Sequence, residues 1–190
     1  MKVIFLDRDG VINKYPGDGK YVTSLSGFRF LSNVKKAISK LTKAGCRIFV
    51  ISNQAGVSKG LYSAKDLSGI TEYMLKKLEA SGGKINGVYY CMHQERHNCL
   101  CRKPKAGLIY KALKESCLKK EVLGDAFFVG DTIRDVMSAQ VAGIKSILVF
   151  SGKEKAGNGS SWQVKPDYTA RDLFSAVEII LSRSKKRKIG

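Results

Sequence analysis

Proline is scarce in this 190-residue chain, with three residues, and there is one tryptophan and only two histidines. Glycine and proline are too few, and periodicity in them is lacking, which excludes collagen-like and low-complexity classes. No apolar run reaches the ~18 residues of a membrane span. Acidic residues are also thin, 16 against 34 basic ones, so the formal charge is +18. The first residues, Met1-Lys2-Val3-Ile4-Phe5-Leu6, meet Asp7 and Asp9 before any secretory hydrophobic segment can form. The cytoplasm is therefore the expected compartment.

With 44% hydrophobic residues, a chain of this length buries about 70% of its unfolded surface without staples. A single domain over 1–182 is expected, followed by a basic tail over 183–190. That tail holds five positive charges in Arg183–Lys188 and reads as a frayed, solvated end. The remaining positive surplus is spread over helix faces such as Lys35, Lys36, Lys40 and Lys43, a distribution that draws in small anions. Nucleic acid stands second as a partner, because no basic platform interleaved with aromatics is present.

Short β-rich runs alternate with amphipathic stretches. Strands are expected at Val3–Leu6, Arg47–Ile51, Gly87–Cys91, Ala126–Val129 and Ser146–Val149, each apolar on both faces. Helices are expected near Val34–Ala44, Ala64–Ala80, Gly107–Ser116, Asp135–Val141 and Asp172–Ser182, with Gly45 and Gly143 at helix ends. This alternation predicts an α/β fold, a Rossmann-like doubly wound parallel sheet with no separate cap domain. The stretch 152–165, rich in Gly, Ser and Lys, predicts a mobile surface loop.

Chemistry-bearing residues fall where strands end. Asp7 and Asp9 lie two apart after the first strand, so both acids point toward one small volume and call for a divalent cation or a shared proton. An acidic turn is the plain alternative. Ser52-Asn53-Gln54 after the second strand offers hydroxyl, amides and backbone N–H groups to a phosphate, or simply caps a turn. Asp131 after the fourth strand supplies a third carboxylate for a hard cation, or an N-cap, and Asp135 favours a first helical turn.

Five cysteines, an odd number, lie at 46, 91, 99, 101 and 117. Cys91, His93, Cys99 and Cys101 form two tight chelating pairs, the pattern of a closed structural Zn2+ site, with His97 a spare candidate by spacing alone. Free loop cysteines are the alternative, and Cys46 and Cys117 read as small core or surface residues. Arg102-Lys103-Pro104-Lys105 follows at once, so a metal would tether this basic group near the sheet edge.

These residues together resemble the haloacid dehalogenase superfamily of phosphatases, and within it the D,D-heptose 1,7-bisphosphate phosphatase and histidinol-phosphate phosphatase group. The resemblance spans about the first 150 residues. It rests on Leu6-Asp-Arg-Asp-Gly-Val-Ile-Asn13, Ser52-Asn-Gln54, Cys91-x-His93 with Cys99-x-Cys101-Arg-Lys-Pro104, and Gly130-Asp131. The first motif with Tyr21-Val22 is closer to the heptose branch, whereas the five-residue gap between His93 and Cys99 resembles the histidinol branch and some shorter heptose enzymes.

The resemblance implies Asp7 as nucleophile and Asp9 as general acid and base. It implies Mg2+ held by Asp7, the Asp9 backbone carbonyl and Asp131. Ser52, with Asn53 and Gln54, and Lys103 would bind the transferring phosphoryl group, and Arg102 the remainder of the substrate. The family pattern often carries a basic residue where this chain has Thr132. It further implies a monomer acting on a small phosphorylated sugar or amino-alcohol, away from membranes, with the segment Asn13–Tyr21 and the zinc loop rimming an open site. The competing readings are a nucleic-acid end-processing phosphatase and a phospho-receiver domain, the latter giving no reason for a metal loop.

Overall fold

A computed structural model describes the backbone of residues 1–186 and the side chains of residues 1–182. Six parallel strands form one sheet: β1 Val3–Leu6, β2 Arg47–Asn53, β3 Gly87–Cys91, β4 Phe127–Gly130, β5 Lys145–Val149 and β6 Tyr168–Ala170. Their order is β3-β2-β1-β4-β5-β6. The five helices are α1 Val34–Lys43, α2 Ala64–Glu79, α3 Gly107–Glu115, α4 Ile133–Ala142 and α5 Leu173–Lys186.

Alternation along each strand feeds two cores. Ile4, Leu6, Ile48, Val50, Phe127 and Val129 face the buried sides of α1, α2 and α5. Val3, Phe5, Phe49, Ile51 and Phe128 face α3 and α4. Both faces are therefore apolar, which is why the strands read as continuous hydrophobic runs instead of alternating ones. Phe5 stacks between Phe49 and Phe128, at 5.8 and 6.4 Å between ring centroids.

Helix ends obey local rules. Ser63 accepts from the Asp66 backbone N–H while Asp66 accepts from Ser63, so α2 opens with a reciprocal cap. Gly45 and Gly143 hold φ of 72° and 68°, left-handed positions that a side chain resists, and they stop α1 and α4 as expected. No helix among the described residues is long and apolar enough to cross a membrane.

Three features depart from expectation. Strand β6 was absent from the sequence reading: its three residues are too few to carry a periodicity, and they become a strand only by pairing with β5. Helix α5 continues to Lys186, so the first part of the basic segment is helical; 187–190 lie outside the described residues. The stretch 152–165 contains a 3-10 helix, Ala156–Ser161, and Trp162 stacks on Phe150 at 6.3 Å.

Strand β1 is central, paired to β2 on one side and β4 on the other. The chain crosses over in opposite directions from it. At such a switch point the loops leaving the carboxyl ends diverge and open a crevice.

Candidate active site

The crevice is a cleft of about 690 Å3 above the ends of β1, β2 and β4. Asp7, Asp9, Ser52, Asn53, Arg102, Lys103 and Asp131 all line it. Residues 15–21 and 161–163, together with Glu95 and Arg134, form its rim.

Lys103 organises the floor. Its ammonium stands 2.9 Å from Asp7 Oδ1 and 2.6 Å from Asp135 Oδ1, and donates to the Ile51 carbonyl at 3.1 Å. All three side chains are buried. Asn53 acts as a backbone mimic for this lysine: its amide nitrogen donates to the Lys103 carbonyl, and its oxygen accepts from the Lys103 N–H, both at 3.1 Å. Asp135 also accepts from the Thr132 backbone and hydroxyl, which keeps its other oxygen free for the lysine.

Asp131 occupies a slot between two glycines. A Cβ on Gly10 would lie 2.1 Å from Asp131 Oδ2, and one on Gly152 would lie 2.0 Å away. Gly10 also has φ of 83°, which lets the chain turn sharply after the acids. The Lys153 backbone N–H donates to Asp131 Oδ2 at 2.8 Å.

The electrostatics follow from this crowding. Burial pushes the Asp7 carboxyl up to about 6, with Lys103 opposing and the charges of Asp135 and Asp9 adding to the rise. Burial also raises Asp131 well above the usual carboxylate range, reinforced by Asp7 and Asp135. Burial disfavours the Lys103 charge, yet Asp135 and Asp7 outweigh it and raise its pKa. A floor on which two buried carboxylates resist ionisation is one that a cation would relieve. One oxygen from each of Asp7, Asp131 and Asp135 lies within 4.8 Å of the others, an all-oxygen set suited to a hard cation. Lys103 engages both Asp7 and Asp135.

Asp9 is placed differently from the strand argument. Strand β1 ends at Leu6, so Asp7 and Asp9 stand on the turn leaving it, where a two-residue spacing no longer dictates a common direction. The Asp9 carboxylate is turned to Arg8, Asn13 and Gln54. Gln54 was expected on the phosphate-binding wall. It is fully buried behind Asp9, with its amide taken up by Asp9, Arg8, Ser52 and Tyr62. Arg102 lines the cleft and donates to the His93 carbonyl at 3.1 Å.

Beside the cleft, Cys91, His93, Cys99 and Cys101 converge. Their sulfur and Nδ1 atoms are separated by 3.2 Å (Cys91 to Cys101), 3.3 Å (His93 to Cys101), 3.4 Å (Cys99 to Cys101), 3.6 Å (Cys91 to Cys99) and 3.8 Å (Cys91 to His93). A tetrahedron built on ~2.3 Å metal–sulfur bonds has edges of about 3.8 Å, so the four atoms can hold one ion with slight expansion. All five cysteines are free of disulfides. His97 stays outside the cluster and accepts from the Gln94 N–H at 3.3 Å.

Tyr62 carries no signal in the sequence, and Asn13 stands there only as the end of the first motif and the start of a rim segment. Asp135 was legible only as a helix-start acid, because its lysine partner lies more than thirty residues away in the chain. Gly152 carried no signal beyond loop composition.

Comparison with known proteins agrees with this arrangement. A family model described as HAD-hydrolase-like matches residues 100–176. The chain is 32% identical over 187 residues to the D-glycero-beta-D-manno-heptose-1,7-bisphosphate 7-phosphatase of Haemophilus ducreyi, covering 94% of this chain and 98% of that protein. It is 34% identical over 157 residues to the corresponding alpha-heptose enzyme of Campylobacter jejuni, covering 83% and 87%. Among solved structures it is similar to the D,D-heptose 1,7-bisphosphate phosphatase of B. bronchiseptica in complex with magnesium and phosphate. That similarity has a TM-score of 0.84 and 30% identity, and covers 96% of this chain and 99% of the other.

Proposed function

We propose, for a chain that belongs to the haloacid dehalogenase superfamily of phosphatases and its heptose bisphosphate and histidinol-phosphate group, that it removes the 7-phosphate of a D-glycero-D-manno-heptose 1,7-bisphosphate. The observation that carries the mechanism is the floor itself: Asp7 and Asp131 buried together, with Lys103 bridging Asp7 to Asp135.

Asp7 is the nucleophile. Its carboxylate oxygen attacks phosphorus, the bond from phosphorus to the sugar oxygen breaks, and Asp9 delivers a proton to that oxygen as it leaves. Water then attacks the aspartyl-phosphate, Asp9 takes its proton, and phosphate departs with Asp7 restored. Lys103 and Ser52 bind the non-bridging phosphoryl oxygens, so positioning and fixed charge supply most of the rate. Asp7 and Asp131, with the Asp9 carbonyl, would hold Mg2+, which neutralises charge so that an anion can approach an anion. Arg102 on the cleft wall reads the part of the substrate that stays behind.

Cys91, His93, Cys99 and Cys101 would hold Zn2+ with all four positions filled by protein, which makes it a structural ion for the loop that carries Arg102 and Lys103. On the rim, Arg134 pairs with Glu95 at 3.3 Å and Lys153 with Asp18 at 2.6 Å, so a second phosphate would exchange with these carboxylates for the two cations.

The test is Mg2+-dependent phosphate release from the alpha and beta heptose bisphosphates and from histidinol phosphate, on one preparation. A large kcat/KM excess for one heptose anomer is expected, and its loss in Asp7→Asn. Preference for histidinol phosphate would move the chain to the sister activity with the same chemistry, and retained turnover in Asp7→Asn would overturn the mechanism.

A further inference from the structure

Arg8 lies between the two acids in sequence, two residues past the end of an entirely apolar strand, and is fully buried. A buried guanidinium carries a large desolvation cost, and an apolar side chain would fill the same space more cheaply. The bonds it makes all lead to one place. Its Nε donates to Asp9 Oδ1 at 3.2 Å, and its Nη2 donates to Oδ1 and Oδ2, both at 3.0 Å. Nη2 also donates to Gln54 Oε1 at 3.1 Å, and Gln54 in turn donates to Asp9 Oδ2 at 2.8 Å. Asn13 donates to Asp9 Oδ1 at 2.8 Å. Asp9 is thus the shared partner of three buried donors.

The network is anchored from outside. Tyr62 donates to Gln54 Oε1 at 2.6 Å, and the guanidinium lies over Tyr90 at 5.7 Å from the ring centroid. The Tyr90 hydroxyl meets Thr71 of α2 at 2.9 Å. Arg8 is held by groups that are themselves hydrogen-bonded, while Asp9, which lines the cleft, keeps a side-chain exposure of 16%. A planar fork fixed in this way sets the direction of a carboxylate in a manner that a single point charge does not.

We propose that Arg8 is a positioning residue for the reaction: it aims the Asp9 carboxyl at the leaving oxygen and stabilises the carboxylate that remains once the proton has been given. The inference rests on Asp9 being the general acid. In that step the Asp9 O–H bond breaks as the leaving oxygen, keeping the electron pair of the broken P–O bond, takes the proton. The negative charge then appears on the two oxygens that Arg8, Gln54 and Asn13 already face. The same grip returns Asp9 to one orientation for the water step.

A sugar alkoxide needs that proton, whereas p-nitrophenolate leaves without it. The experiment therefore compares kcat/KM for heptose 1,7-bisphosphate and p-nitrophenyl phosphate, a ratio that reports only steps through leaving-group departure. General acid catalysis contributes roughly 10²–10⁴-fold, so Arg8→Met should lower the sugar phosphate value by at least about tenfold while the aryl value changes little. Arg8→Lys, which keeps the buried charge but not the fork, should fall between Arg8→Met and the unaltered enzyme, and it carries the test if Arg8→Met does not fold. Equal losses on both substrates, or no loss on either, would overturn the proposal and leave Arg8 a purely structural charge. Asp9→Asn serves as the reference. If it shows no difference between the two substrates, the assignment of Asp9 as acid falls. If it does and the Arg8 variants do not, only the role of Arg8 falls.

Discussion

Lys103 and Asp135, thirty-two positions apart, meet as a buried ion pair with Nζ 2.6 Å from Oδ1, and the same ammonium reaches Asp7. The pair fixes where the lysine charge sits on the cleft floor. Removing one partner of a buried pair costs about 3–5 kcal/mol when the other charge is left alone, an upper bound here because Asp7 still faces Lys103. Asp135→Ala should therefore lower stability by up to that amount in denaturant titration. Asp135→Asn keeps an acceptor for the helix-start contacts from Thr132 but not the charge facing Lys103, so it should lose less stability than Asp135→Ala and still lose at least tenfold in kcat/KM for phosphate release.

Gly152 is required by space and not by its backbone angle, since a Cβ there would collide with the Asp131 carboxylate at 2.0 Å. Gly152→Ala should displace Asp131 and weaken Mg2+ binding by roughly tenfold or more in calorimetric titration. Gly157→Ala, with open space at its Cβ, should bind the ion as the unaltered protein does.

Asp7 gives the metal-free protein a defined pH dependence. Its carboxyl moves from an ordinary 3.8 to about 6 on folding, chiefly through burial. Between these values the native state holds a proton that the unfolded chain has lost, so stability falls as pH rises from about 4 to about 6. Asp131 adds to the same slope. Melting temperature measured without metal should decline across that window, and Asp7→Asn should flatten the decline. Saturating Mg2+ should stabilise the protein most at the upper end, where the carboxylates are ionised for it.

The sulfur cluster predicts one zinc per chain by elemental analysis. Cys101→Ser should lose the ion and lower the melting temperature, because a structural metal contributes to folding directly. His97→Ala should keep a full complement of zinc, since His97 is not among the four converging residues and its Nδ1 accepts from the Gln94 N–H.

The α/β alternation, five of the six strands, and the strand-end positions of Asp7, Ser52 and Asp131 were legible because they depend on local patterns: apolar runs, caps and the glycines that end helices. The four metal-cluster residues were legible for the same reason, since two chelating pairs with short spacing announce themselves without a fold. Strand β6 was not, because three residues hold no period and exist as a strand only through β5. Long-range pairing also decided the finer chemistry. Only the folded sheet brings Asp135 to Lys103, turns Gln54 behind Asp9, and presses Gly10 and Gly152 against Asp131. These relationships join residues tens of positions apart, and their energies arise from burial and mutual charge that no stretch of the chain possesses alone. The sequence by itself determined which residue types stand at the sheet edge, and tertiary structure decided which of them face the cleft and which hold the others in place.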